Sequence, residues 1–526
     1  MQIVRIGAGS TEQPTADMIG GKAANLARMA TLGLPVPPAF VLPIELCAAI
    51  VAGDKHARQQ VVAGLHDGIA FLEGATGRGF GDRRDPLLVS VRSGAARSMP
   101  GMLDTVLDVG CTAAAVNGLI RTTGHPRFAW DCRRRFLESY ADVVLGLDPA
   151  PFKARLKARI ASEGAGGEHG LDGEALERLA ADYLDIVEGD DDALPDDPFK
   201  QLEAAANAVY RSWMSPRAQT YRKLQGLDGL KGTAVTVQAM VYGNRNLKSG
   251  AGVAFSRDPS TGSAEPVIDV LFGAQGEDVV SGARTPDTEQ AIRQKLPQVA
   301  TQLRDTLVLL ERDFADVQDV EFTIEDGHLW VLQTRAAKRT PIAALRFAIE
   351  LVREGLIAPA QGLQRLQDVA LDKLTRQHFP AAHEPIAHGT GASAGIAVGR
   401  AAFDSDSAAR LAASGEPVIL VRPDTSTADV AGFSIAAGIV TAVGGRTAHA
   451  ALVARQMGKP CVVGCAALVV EPDGQSARLA GAIVKQGDWL SIDGEAGAIY
   501  LGRCDVVEDR ADAELAEVAS WRGKVT

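Results

Sequence analysis

An α/β protein of at least two domains is what this sequence predicts, and three observations carry the prediction. Strand-like runs such as VPPAFVLP (36 to 43) and LLVSVRSG (87 to 94) are interleaved with helical runs such as HPRFAWDCRRRFLESYADVV. At 526 residues the chain is too long for a single core, so two to four domains are expected. The stretch HFPAAHEPIAHGTGASAG has the proline, glycine and alanine content of a linker.

Taken in order, the first hundred residues mix glycine turns with short strands. Residues 112 to 225 are mainly helical and are interrupted by an acidic surface loop, VEGDDDALPDDP. Strand signals dominate from 232 to 336: TAVTVQAMVYG, GAGVAFSRDP, PVIDVLFG, and the pair VQDVEFTI and LWVLQTR. PIAALRFAIELVREG and PAQGLQRLQDVALDKL then return to helical spacing. A compact α/β segment follows the linker. The expected boundaries are 1–340, a hinge at 341–389, a second domain at 390–503 and a polar tail at 504–526.

Composition narrows the function. The net charge of −11 argues against a nucleic-acid partner, which would need phosphates neutralised by Lys and Arg. Mean hydropathy is near zero, at +0.02. The longest apolar stretches, such as FSIAAGIVTAVGG, are too short to span a bilayer, so no membrane partner is expected. Six scattered cysteines are too sparse for a disulfide scaffold, and the N-terminus shows no basic segment followed by an apolar run. A reducing, cytoplasmic location is expected.

The hairpin VQDVEFTIEDGHLWVLQTR is the first candidate site. An odd loop centred on Gly327 gives one apolar face, Phe322 with Leu332 and Ile324 with Trp330. The other face then carries Asp319 opposite Arg335 and Glu321 opposite Gln333. Two carboxylates at i and i+2 can share a Mg²⁺ whose other ligands are phosphate oxygens and water, with Arg335 on the phosphates. A solvated strand face with a cross-strand ion pair is the alternative for the hairpin alone. Elsewhere, Arg92 ends a strand that runs into a loop with Gly94, Ser98 and Gly101, whose backbone N–H groups can close over polyphosphate. Lys22 follows paired glycines at a helix start, where anions are favoured.

Together GGKAANLARMATLGLPVPPAF, LLVSVRSGAARSMPGMLDTVLDVG, VTVQAMVYGNRNLKSGAGVAFSRDPSTG, AQGEDVVSGARTP and QDVEFTIEDGHLWVLQTRAAKRT resemble the nucleotide-binding part of the pyruvate phosphate dikinase family. The resemblance covers most of residues 18 to 340. It implies an ATP-grasp domain with a helical insert at about 112–225. It also implies ATP binding by Lys22, Arg92, Gly101, Asp269, Gln333 and Arg335, and Mg²⁺ binding by Asp319 and Glu321. Asp269 stands where the family usually has glutamate, and Gly273 where it has asparagine. The shorter carboxylate weakens contacts to nucleotide hydroxyls.

GGRTAHAALVARQMGKPCVVG resembles the phosphohistidine motif of the same family, within a β/α swivelling domain at 390–503. Thr447 can cap the helix, and His449 then stands at a first turn that favours a phosphoryl anion. Gly444, Gly445, Ala448 and Ala450 leave room around the ring. Neutral imidazole is a competent nucleophile, and Arg422 can neutralise the carried phosphate. Taken alone, the segment also fits a helix-cap histidine without chemistry. Ala448 replaces a common serine of the family, and Asp424 a common glutamate.

The family's (β/α)₈ acceptor barrel needs about 250 residues, and only 25 follow Leu501. The resemblance therefore implies a half-reaction. ATP gives its β,γ-diphosphoryl group to His449 and releases AMP; inorganic phosphate then removes pyrophosphate and leaves phosphohistidine. Transfer to pyruvate or another acceptor is expected on a separately encoded barrel subunit, with Arg92, Arg335 and His449 as the catalytic groups. The alternative is a phosphohistidine carrier or nucleotide-sensing module acting on a partner protein.

Overall fold

The computed structural model describes residues 3–522 apart from 98, 100–101, 190–193, 283, 381–382, 425–428 and 472–473. By their contacts they form two units, one of Met1–Ser249 with Thr323–Thr334 and one of Gly250–Phe322 with Arg335–Thr526.

In the first unit, β1 (Val4–Ile6), β2 (Ala39–Leu42), β3 (Val89–Ala95), β4 (Thr105–Val109) and β5 (Thr233–Ala239) make an antiparallel sheet in the order β1-β2-β5-β3-β4. β2 and β5 are buried along their whole length; β2 reads as an unbroken apolar run, whereas β5 also buries Thr233, Thr236 and Gln238. Helix Lys55–Thr76 lies directly on β2 at Gly68, where a Cβ would stand 2.4 Å from the Phe40 ring. The segment after β4 forms helices from Ala113–Thr123 to Pro216–Leu224. Asp197 and Ser215 cap two of them, each just before a proline at the first helical position. Their apolar faces, including Phe136, Tyr183 and Val209, join Val89, Val91 and Val235 in one core.

A second sheet contains β6 (Gly250–Phe255), β7 (Val267–Phe272), β8 (Asp287–Thr288), β9 (Gln318–Glu325) and β10 (His328–Ala336), ordered β8-β7-β6-β9-β10. The β9–β10 turn is Asp326–Gly327, with φ of 49° and 78°. Two positive φ values are what a two-residue type I′ turn requires. The expected odd loop is therefore corrected at the tip. Leu329 and Val331 are the buried apolar residues of β10, and Trp330 and Leu332 are half-buried. At the base, the Ala337 N–H donates to the Val317 carbonyl, the register that sets Asp319 opposite Arg335. Tip and base differ by one residue, the signature of a bulge.

Within the second unit a buried arginine fixes two helices to the end of β6. Arg257 donates from Nε and Nη2 to Glu311 on helix Pro297–Phe314, at 2.9 and 2.6 Å. Its Nη2 also reaches Glu354, 2.6 Å away, at the end of helix Pro341–Arg353. A buried charge is tolerated when it is paired in this way.

The last sheet has eight strands: β11 (Ala387–His388), β12 (Thr390–Ser393), β13 (Ile396–Ala402), β14 (Val418–Arg422), β15 (Gly438–Thr441), β16 (Cys461–Val463), β17 (Trp489–Asp493) and β18 (Ala498–Leu501). The order is β11-β18-β17-β13-β14-β15-β16-β12, with β13 to β16 parallel. Helix His449–Met457 connects β15 to β16. Among the described residues no helix is long and apolar enough to cross a membrane.

Residues after 503 do more than trail away as a polar tail. Val507–Arg510 pairs with Thr375–His378, and helix Asp512–Arg522 buries Val518 and Trp521 against Leu345 and Ile349 of helix Pro341–Arg353. Their wide spacing among charged residues hid this apolar contact. Trp521→Ala is expected to lower unfolding free energy by about 3–5 kcal/mol, measured by urea titration of the full chain. A loss within experimental error would mean that the helix is dispensable.

Candidate functional site

Lys22 and Arg92 lie in the first unit. Gly20 adopts φ +84°, and a Cβ there would fall 2.3 Å from the Gly94 carbonyl oxygen, so only glycine lets the backbone approach β3 so closely. This contact sets the start of helix Gly21–Thr31, carrying exposed Lys22, against the strand that carries half-buried Arg92. Asn25 on the same helix donates to the Thr334 carbonyl at 3.0 Å, beside buried Gln333. Gly101 and Ser98 lie outside the described residues.

In the second unit Asp319 and Arg335 meet. Arg335 Nε donates to Asp319 Oδ2 at 2.8 Å, while the buried Oδ1 has no hydrogen-bond partner. Burial pushes the Asp319 carboxyl above its usual range; Arg335 opposes the shift and the like charge of Glu321 adds to it. An orphaned carboxylate oxygen beside a second carboxylate fits a divalent cation. No cluster of three or more His, Cys, Asp or Glu side chains suited to a metal occurs among the described residues. The donor set therefore suits an ion completed by ligand phosphates and water, the usual Mg²⁺ arrangement, better than a protein-only cage.

On β7, two strands from β9 in the same sheet, Asp269 is committed to the histidine loop. Its Oδ2 accepts both the Thr447 N–H and the Thr447 hydroxyl, each at 3.0 Å. Burial raises the Asp269 carboxyl, and the two Thr447 hydrogen bonds draw it back down. Gly445 permits this approach: a Cβ there would lie 2.6 Å from Asp269 Oδ2 and 2.3 Å from Pro286. Gly444 adopts φ +107°. The expectation that Thr447 caps the helix is corrected. Ala448 is the N-cap and makes no side-chain cap, because the threonine hydroxyl is spent on Asp269. His449 is the first residue of the helix; its side chain lies outside the described part of the structure.

Arg422 is engaged inside its own sheet region. Its Nη1 donates to the Phe403 carbonyl at 2.7 Å and its Nε stands 3.2 Å from Asp429. Asp424 is exposed. The arginine that sequence reasoning missed is Arg455, six residues beyond His449 and buried. It donates to the carbonyls of Ala392 and Arg446 and lies over the Phe255 ring. Burial pushes its guanidinium down to about 10, and the carboxylates of Asp319 and Asp269 oppose that shift. The sole signal was a charge directly after the small apolar run AALVA, a pattern normally assigned to a solvated face.

The raised Asp319 pKa gives a stability test. A carboxyl whose folded pKa is raised favours the fold when protonated, and its ionised form costs stability once pH rises above its range. Asp319→Asn should therefore stabilise the metal-free chain at neutral pH by on the order of 1 kcal/mol. The gain should fade as pH falls into the carboxylate range, followed by thermal melts across pH. A loss of stability at neutral pH would contradict the orphaned-oxygen assignment.

Both parts of the chain resemble known proteins. Residues 56–301 match the profile of the pyruvate phosphate dikinase AMP/ATP-binding domain, and residues 414–497 that of the PEP-utilising enzyme mobile domain. The pyruvate, phosphate dikinase of Clostridium symbiosum is 41% identical over 516 residues, covering 97% of this chain and 59% of the relative. The chloroplastic enzyme of Flaveria pringlei is 41% identical over 97% of this chain and 54% of the relative. That of Rhizobium meliloti is 40% identical over 99% and 60%. The chain thus spans a little over half the length of these relatives.

Proposed function

This chain belongs to the pyruvate phosphate dikinase family, carrying its AMP/ATP-binding and mobile domains, and from that premise we propose that it performs the ATP half of a dikinase reaction. ATP phosphorylates His449 with its β,γ-diphosphoryl group and leaves as AMP. Inorganic phosphate then attacks the terminal phosphorus, pyrophosphate departs, and His449 keeps one phosphoryl group. The observation that carries this reading is the double hydrogen bond from Thr447 to Asp269. It fastens the histidine loop to the same sheet that bears Asp319, Glu321 and Arg335.

In this reading residues 1–340 form the ATP-grasp domain, 341–389 the hinge and 390–503 the swivelling domain. Lys22 and Arg92 neutralise the ATP phosphates, Gln333 faces the nucleotide, and Arg335 steadies the transferring group through its planar fork. A Mg²⁺ held by Asp319 and Glu321 would supply charge neutralisation between the phosphates. Asp269 works chiefly on the loop, holding Thr447 so that the backbone two residues later is set for in-line attack. His449 acts as the neutral nucleophile, and the small residues Gly444 and Gly445 let the loop approach closely. The phosphoryl acceptor, pyruvate or another molecule, is assigned to polypeptide outside these 526 residues, such as a barrel-bearing subunit. A reducing cytoplasmic setting accords with six free, buried cysteines.

Incubation with β-labelled ATP should place acid-labile label on the wild-type chain, with AMP as the released nucleotide, and none on His449→Ala. Release of ADP, or label surviving in His449→Ala, would overturn the reading. If Asp269 acts through Thr447, then Asp269→Ala and Thr447→Val should each slow labelling by about tenfold, and the double variant should be little slower than either. Full additivity in single-turnover rates would detach Asp269 from the loop.

A further inference from the structure

Away from the phosphotransfer groups, the second unit contains a cavity of about 520 Å³. One wall is helix Pro341–Arg353, which contributes Ala344, Phe347 and Leu351; the opposite wall is the last turn of the histidine helix, with Arg455, Met457 and Gly458. Arg339 and Arg365 line it as well, and Asp316 is the one acidic side chain on the lining. Arg339 and Arg365 against one aspartate leave an excess of positive charge on this lining, inside a chain whose net charge is −11.

The aspartate does not exhaust these cations. Arg339 holds Asp316 through two hydrogen bonds of 2.8 and 3.1 Å, and Arg365 stands 3.5 Å from the same carboxylate. Arg455 is 1% exposed and spends its Nη1 and Nη2 on the Ala392 and Arg446 carbonyls, so the excess positive charge of the lining rests with Arg339 and Arg365. The negative end of the histidine helix does not cancel this field. The Gly458 and Lys459 N–H groups cap the carbonyls of Arg455 and Ala454 at 3.2 and 2.9 Å. The remaining wall is apolar and of the size that encloses small organic molecules.

We propose that this cavity binds a small organic anion, its charged head between Arg339 and Arg365 and its apolar body along Phe347 and Leu351. Such a ligand would touch the hinge helix and the histidine helix at once. It would favour the arrangement in which those helices lie together and so restrain the mobile domain. The site is separate from the nucleotide-binding residues, and its occupancy can be tested whether or not the dikinase reading holds.

Phenyl phosphate, a dianion with an apolar ring, is a suitable probe on the full chain in the presence of saturating ATP and Mg²⁺. Calorimetry should show saturable binding at millimolar concentration, with a raised Tm. Arg365→Gln should weaken binding by about tenfold, and Ala344→Trp, which fills the cavity from a half-buried position, should abolish it. Under the dikinase reading, phenyl phosphate should also slow discharge of phospho-His449 in the wild type and not in Ala344→Trp. Absence of saturable binding, displacement by ATP, or equal affinity in the wild type and both variants would overturn the proposal.

Discussion

One carboxylate oxygen holds the histidine loop in place. Asp269 Oδ2 receives two hydrogens from Thr447, and nearly everything else about the loop follows from keeping that contact short. A carboxylate taken out of water must be compensated, and here the compensation comes from the loop itself. Gly445 exists at its position because any side chain would collide with Asp269 or Pro286. Ala448 lacks a capping oxygen, and the residue that would otherwise cap is occupied elsewhere. The helix start is therefore left with its first N–H groups uncapped by side chains, a feature that suits an anion.

The surface around that contact is built from very small residues. Gly282 faces Ala448, Gly444 lies near the Gly282 carbonyl, and Gly464 approaches Thr285. Such backbone-to-backbone packing buries little apolar side-chain area, and hydrophobic stabilisation scales with that area at roughly 25 cal/mol per Å². Polar contacts such as that of Thr447 with Asp269 act there beside the apolar packing of Leu452 on the cluster of Phe255, Val267 and Phe347. Arg257 joins β6 to two helices through a buried pair with Glu311 and a half-buried one with Glu354.

How much of this could be read from the sequence depended on whether a pattern was local. The α/β class, the helical stretch following β4, and the approach of Asp319 to Arg335 all follow from short-range periodicity and strand pairing. The hairpin tip did not, because sequence alone supplies no reason to place a bulge between a two-residue turn and a base in a different register. Thr447 was read as a cap since its natural partner in sequence is the helix it precedes. Its actual partner lies 178 residues away. Arg455 and Trp521 were missed for the same reason: each is isolated in its segment, and only long-range packing turns a lone charge or a lone aromatic into a buried one.

The buried charges also act as one group. Asp269 and Asp319 are both raised by burial and both drawn down by Arg455, which burial in turn disfavours. Bringing the histidine helix to the sheet supplies a cation to two buried carboxylates, one of which, Asp319, is also drawn down by Arg335. Withdrawing it removes that cation and frees the Asp269 carboxylate from Thr447 in the same movement. By linkage, whatever neutralises the carboxylates independently, a metal ion or a nucleotide group included, changes the free energy of docking by the same amount that docking changes its binding. Loop position and site occupancy are therefore coupled through charge alone, without any requirement that the sheet itself deform.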